Sequence, residues 1–290
     1  MTGRIVLGPN QYGKAECRLV RITRGRPGSP ERHEIEDLNV TTQLRGDFEA
    51  CHTEGDNSQV VATDTQKNTV YAFAEQYGVG SPEDLLLRLS DHFVDGFAWV
   101  TGSELSAEQY SWERIAVDGR GHDHAFARTG RETRTTVVTR EGDTTTVVSG
   151  LTDCTVLKST GSEFHGFPRD RYTTLAETTD RILATSVTAT WRYTGTDHDF
   201  NALYAGIREV LLTTFSTVHS LALQQTIFEM GKAVLERYDE VAEVSLSCPN
   251  KHHFLVDLAP FDLENPGEVF FAADRPYGLI QATVLREETP

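Results

Sequence analysis

The feature that most constrains this chain is the order in which two hydrophobic periodicities alternate along it. Segments rich in threonine and valine, with apolar residues at every second position, occupy 18–23, 35–48, 133–140, 144–157, 186–193, 241–247, 254–258 and 279–285, and read as half-buried strands. Two blocks break that pattern with apolar residues every three or four positions. In the first, 64–97, Ser81 stands as a cap, Pro82 at the first helical position and Asp84 where it accepts from exposed amides. Leu85, Leu86, Leu89, Phe93 and Phe97 follow on one stripe. The second, 199–238, carries Leu203, Ile207, Val210, Leu211 and Phe215, then Leu221, Ile227, Met230, Val234 and Leu235; it reads as two long helices joined near His219 and Ser220. The coarse order is strand, strand, helix, helix, strand, strand, and then the same again. Gly142-Asp143 between two strand runs predicts a hairpin turn. An α+β architecture follows, with antiparallel sheets, paired helices on one face, and domains at 1–145 and 146–290. Each sheet then needs a further layer on its other face, which a dimer or tetramer would supply. Pro27 and Pro30 mark a hairpin loop at 25–31, and 104–113 has no clear pattern.

Charge excludes some partners. With 27 basic against 43 acidic side chains the formal net charge is −16, which repels phosphate backbones and anionic lipid, and no basic patch offsets it. The reading is therefore no nucleic acid and no membrane. No run approaches 18 apolar residues, and Met1 to Gly8 does not make a signal peptide, so a cytoplasmic protein is expected. Cys17, Cys51, Cys154 and Cys248 lie far apart and read as buried thiols.

Four segments carry candidate chemistry. Gly8 to Lys14 matches the G-x-x-x-x-G-K part of a phosphate loop, but Ala15 stands where magnesium needs a hydroxyl, and a strand follows where a helix is required. In Val60 to Thr69 a short apolar strand meets a helix start, with Thr63 or Asp64 as the cap; the helix amides there could alternatively receive an anion. The loop from Lys158 to Arg181 mixes aromatics and cations in an acidic chain, a composition that suits a flat anionic ligand, with Phe164 to stack and Arg181 as a bidentate fork. In Ser247 to Phe254, strand alternation sends His252 and His253 to opposite faces, away from a shared metal. His122 and His124 share a strand face without a carboxylate or cysteine partner, a weak basis for a metal site.

Taken together, these segments resemble the urate oxidase (uricase) family over nearly the whole length. The resemblance is carried by Tyr12-Gly13-Lys14, VVATDTQKNTVYAFA from Val60, KSTGSEFHGFPRDRYTTLAETTDRIL from Lys158, SLALQQTIFEMG from Ser220 and CPNKHHFLVDL from Cys248. It implies a tandem T-fold assembling into a tunnel-shaped homotetramer with active sites at subunit interfaces. It implies oxidation of urate by dioxygen to 5-hydroxyisourate and hydrogen peroxide, in purine degradation, with no metal or other cofactor. Carried over by motif, Lys14, Thr63 and His252 form the proton relay. Thr63, Asp64, Phe164, Leu175, Arg181, Leu223, Gln224 and Asn250 bind substrate. Leu223 stands where the family often has valine, and the acidic tail lacks a peroxisomal address, which favours a bacterial cytoplasmic enzyme. Two other readings stay open at this level: a T-fold purine or pterin binder without oxidation, and the phosphate loop that Ala15 opposes.

Overall fold

Alternation of buried and exposed side chains builds β1 (Tyr12–Thr23), β2 (Glu34–Gly46), β3 (Val100–Val117) and β4 (Arg120–Glu141), each antiparallel to the next. In β2 the inward set Leu38, Val40 and Leu44 is fully buried. Val70 of α2 (Thr63–Tyr77) and Leu85, Leu86, Leu89 and Phe93 of α3 (Pro82–Gly96) are fully buried as well, in a core on one face of the sheet. A short helix, α1 (Glu49–Thr53), precedes them. The computed structural model describes residues 3–24 and 32–287, apart from the Asp274 side chain; the loop expected at 25–31 lies outside the described residues.

The Ser81 signature is realised in full: Asp84 donates its backbone N–H to Ser81 Oγ at 3.0 Å while its carboxylate accepts from Ser81 N at 3.1 Å, a capping box at the head of α3. The turn predicted at Gly142-Asp143 joins β4 to β5 (Thr144–Lys158), with Gly142 at φ 57, a backbone conformation that glycine adopts without a steric penalty. Two strands exceed the sequence reading. β3 covers the unassigned stretch 104–113, and β4 begins at Arg120 rather than near Thr133. Between Arg120 and Thr133 no residue of β4 is buried, so no hydrophobic alternation marks that half.

The chain divides into two units, Met1–Ser149 with Gly195–Asn201, and Gly150–Thr194 with Ala202–Pro290. The first boundary thus falls inside β5, a few residues past the expected 145, and a short later segment belongs to the first unit. Asn201 explains that segment. Its side chain donates to Gly80 O at 3.0 Å and accepts from Arg134 at 2.7 Å.

In the second unit β6 (Leu183–Tyr193), β7 (Val241–Leu255) and β8 (Phe270–Leu285) are antiparallel neighbours. α4 (Phe200–Thr217) and α5 (Leu223–Arg237) follow β6, and the joint expected near His219-Ser220 lies between them. Ile227, Met230 and Val234 of α5 are buried with Val244, Leu246 and Cys248 of β7. On the other face of this sheet Thr188, Thr190, Ser245, Ser247, Gln281 and Thr283 line an open polar hollow. Strand β7 continues through Pro249-Asn250, where the sequence suggests a break between two runs.

None of the four cysteines is in a disulfide; Cys17, Cys154 and Cys248 are buried and Cys51 is partly so. Burial pushes the Cys248 thiol up to about 11, which keeps it protonated and unreactive. Among the described residues no helix is long and apolar enough to cross a membrane.

Candidate active site

In the second unit a cavity of about 590 Å³ gathers Phe164, Leu175, Arg181, Asn250 and His252 in one wall system, together with Thr178, His253 and Phe254. The loop that supplies the first three is pinned by its own backbone. Phe164 and Thr178 exchange N–H···O bonds of 2.8 and 3.0 Å, and Arg181 N donates to Ser162 O at 2.9 Å. Ser162, fully buried, also accepts from Arg181 Nε at 3.3 Å. On the other side Glu163 N donates to Ser220 O at 2.7 Å and Ser220 N to Gly161 O at 2.9 Å, which ties the loop to the turn that opens α5.

These bonds hold an aromatic and a cation together. The Arg181 guanidinium lies 5.1 Å from the Phe164 ring centroid, and Phe167 stacks on Phe164 at 5.0 Å with an interplanar angle of 16°. Burial alone lowers the guanidinium pKa, and no carboxylate among the described residues pairs with it. Its terminal nitrogens donate to no described residue. A half-buried arginine of this kind remains charged, so the cavity is built to receive an anion.

Asn250 and His252 reach the same cavity from β7. Pairing of β7 with β8 shifts register between them: Asn250 lies opposite Gly278 and His252 opposite Ala273. The shift lies before His252; from there the register is regular, with His253 opposite Ala272, so the alternation that the sequence predicts for the two histidines continues, and both residues border the cavity. Burial, then the positive charge of Arg181, then His253 hold the His252 imidazole below its ordinary value. In an NMR titration the His252 ring is therefore expected to protonate only below about pH 6.5, and Arg181→Gln to move its midpoint upward. Because the folded value is depressed, the unfolded chain binds this proton first, and the group costs stability as pH falls below about 6.5. A midpoint at or above the free-imidazole value contradicts that environment.

Leu223 and Gln224 begin α5 and do not line the cavity: Leu223 is buried and Gln224 exposed. The remaining expected residues belong to the first unit. Lys14 lies on β1, half-buried, just before a bulge that leads to Cys17. Thr63 is the first residue of α2 rather than its cap; Ala62 occupies the cap without a side-chain bond, because its extended backbone already starts the helix. The Asp64 carboxylate, exposed, accepts from Lys67 and from Asn68 at 3.0 Å, and the Lys67 ammonium holds it below the usual carboxylate range. As the strand after Tyr12 implies, no helix follows the Gly8–Lys14 segment, so it does not form a phosphate loop.

Ser162 and Glu163 brace the cavity loop through these bonds, and residue patterns do not single them out. Glu163 accepts from His165 at 2.9 Å and from His219 at 2.5 Å, and these bonds hold its carboxyl low. Only the position of Glu163 beside Phe164 hints at this in the sequence. The His122 and His124 rings lie 4.5 Å apart, edge to face, and among the described residues no group of histidine, cysteine and acidic side chains is arranged to hold a metal ion.

A family model for uricase matches residues 10–139 and 147–281. The chain belongs to the uricase family. Curated relatives agree. Uricase from Arthrobacter globiformis is 61% identical over 98% of this chain and 91% of its own, and uricase from Cyberlindnera jadinii 39% identical over 97% of each. Among solved structures, the crystal structure of the Arthrobacter globiformis uricase superposes with TM-score 0.93 at 60% identity, covering 99% of this chain and 97% of that one. A uricase from Bacillus fastidious superposes with TM-score 0.81 at 27% identity, covering 95% and 93%. Uricase family membership accounts for the α+β architecture of antiparallel strands with helices on one face, and the seven residues between the two matched stretches contain the Gly142-Asp143 turn.

Proposed function

We propose that this chain oxidises urate with dioxygen, giving 5-hydroxyisourate and hydrogen peroxide as a step of purine degradation. The observation that carries the reading beyond family membership is the Arg181–Phe164 pair in the cavity, a charged fork without a protein carboxylate beside an aromatic face. Urate is flat and anionic at neutral pH. Phe164 stacks under its ring and Arg181 holds its oxygen and nitrogen edge in plane, with the exposed Gln224 reaching that edge from the head of α5 outside the cavity wall, which fixes orientation and removes entropy from the reaction. Loss of a further ring proton makes urate a stronger electron donor. Lys14 accepts that proton through the Thr63 hydroxyl, and His252, neutral at working pH, continues the relay. Two electrons pass from urate to dioxygen, water adds at the oxidised ring carbon, and the peroxide leaves with two protons. Asn250 presents its amide above the ring to dioxygen and then to water. Urate is itself the reductant in this scheme, so the protein's groups need only bind, orient and move protons.

The active form we propose is a homotetramer in which Lys14 and Thr63 of one subunit complete the cavity of a neighbour, so that monomers are inactive. Exposed apolar residues on the cavity rim support it: Leu175, Phe254 and Leu255 are more than half exposed, surface that a neighbouring subunit would cover. The proposed compartment is the cytoplasm, in keeping with thiols outside any disulfide. The test is loss of the urate ultraviolet band together with oxygen uptake, using metal-stripped protein in chelator. One oxygen consumed per urate is expected. Urate that binds yet stays intact would overturn the oxidase reading in favour of a binding protein.

A further inference from the structure

Lys14 and Thr63 come from different elements, and a path of hydrogen bonds, buried over its last two steps, joins the backbone of Lys14 to that of Val61, two residues before Thr63. Lys14 N donates to Thr42 Oγ1 at 3.2 Å, Thr42 Oγ1 donates to Gln66 Oε1 at 2.7 Å, and Gln66 Nε2 donates to Val61 O at 3.1 Å, two residues before Thr63. Tyr12 Oη also donates to Val61 O, at 3.2 Å. Thr42 and Gln66 are fully buried. The direction is fixed from the Val61 end: its carbonyl can only accept, so the Gln66 amide turns its N–H₂ to Val61 and its Oε1 to Thr42, whose hydroxyl donates there at 2.7 Å, a shorter contact than the 3.4 Å to Lys14 O. Gly13 lets β1 come this close, since a Cβ there would lie 1.7 Å from Thr42 O.

From this path we infer that Thr42 and Gln66 are positioning residues that set the spacing of Lys14 and Thr63 for proton transfer. Neither is assigned to the substrate. The two end bonds grip main chain, at Lys14 itself and two residues before Thr63, so a change at Thr42 shifts β1 against the start of α2 without emptying the ligand cavity. Proton transfer is steep in distance, and sub-ångström misplacement costs rate before it costs affinity.

The inference rests on the urate-oxidising reading, and the experiment separates the two. Urate turnover is measured in light and heavy water for the parent, Lys14→Met, Thr42→Val, Thr42→Ser and Tyr12→Phe, with 8-azaxanthine affinity and thermal unfolding alongside. Thr42→Val is expected to lower kcat about 10-fold, to raise the solvent isotope effect on kcat, and to leave 8-azaxanthine affinity within about two-fold. Thr42→Ser, which keeps the hydroxyl, returns all three to parent values. Should Thr42→Val not fold, Tyr12→Phe decides, with kcat about three-fold lower and the same rise in isotope effect. Parent-like kcat and isotope effect in the folded variant, or affinity and rate falling together, overturn the inference. A parent that leaves urate intact, or a Lys14→Met variant with parent turnover, overturns the underlying reading instead.

Discussion

Lys14→Met is expected to lower kcat for urate by about 10²- to 10³-fold, with urate-analogue affinity changed by no more than a few-fold. Methionine keeps an unbranched chain of similar reach and removes only the amine, so the β1 packing survives. That matters because Lys14 lies in register with Thr42 and heads a bulge, where a bulkier change would disturb the strand itself. A group that acts only as the proton is lost leaves ground-state binding alone, whereas a group that grips urate costs KM and kcat/KM. Steady-state rates with 8-azaxanthine inhibition constants separate the two. Equal losses in both would move Lys14 from the relay to the binding surface.

The second large effect is on stability and lies away from the chemistry. Glu83→Ala is expected to destabilise the fold by about 3–5 kcal/mol. The Glu83 carboxylate, fully buried at the start of α3, meets Arg134 at 2.7 Å, Thr136 Oγ1 at 2.8 Å and the Ser149 hydroxyl. Arg134, 7% exposed, also donates to Asn201 Oδ1 at 2.7 Å and to Phe200 O at 3.3 Å. Removing the acid strands a buried guanidinium and two hydroxyls at once, and the desolvation already spent on the cation is no longer offset. The surface pair Arg45–Glu141, where the acid is 71% exposed, is the control; Glu141→Ala is expected to cost about 1 kcal/mol or less. Chemical unfolding of the two variants side by side measures the difference. Comparable small losses would mean that water or a rearranged Arg134 replaces the acid.

The sequence and the fold agree most closely where local physics suffices. Ser81, Pro82 and Asp84 announce the start of α3 because a cap is a contact between residues three apart, and the structure contains that contact. Thr63 misleads for the same reason: a threonine before an apolar run looks like a cap, yet the helix begins one residue earlier. The outer half of β4 is illegible as a strand because it holds its place through ladder pairing, not through alternation, and the stretch from Glu104 to Glu113 because its alternation is short, with only Leu105 and Ala107 buried, beside cross-strand ion pairs such as Arg45–Glu104. In the site, the stacking and charged roles of Phe164 and Arg181 could be suspected from composition. The part played by Ser162, Thr42 and Gln66 could not, since each acts through a partner 19 or more residues away in the chain.

The register slip between Asn250 and His252 turns chain length into a variable of cavity shape. Because the imidazole is aimed by where β7 stands against β8, its direction is encoded partly in β8, at Ala273 and Gly278, which do not line the cavity. Anyone redesigning this protein can therefore keep all the cavity side chains and still redirect the His252 ring by adding or deleting one residue on the neighbouring strand.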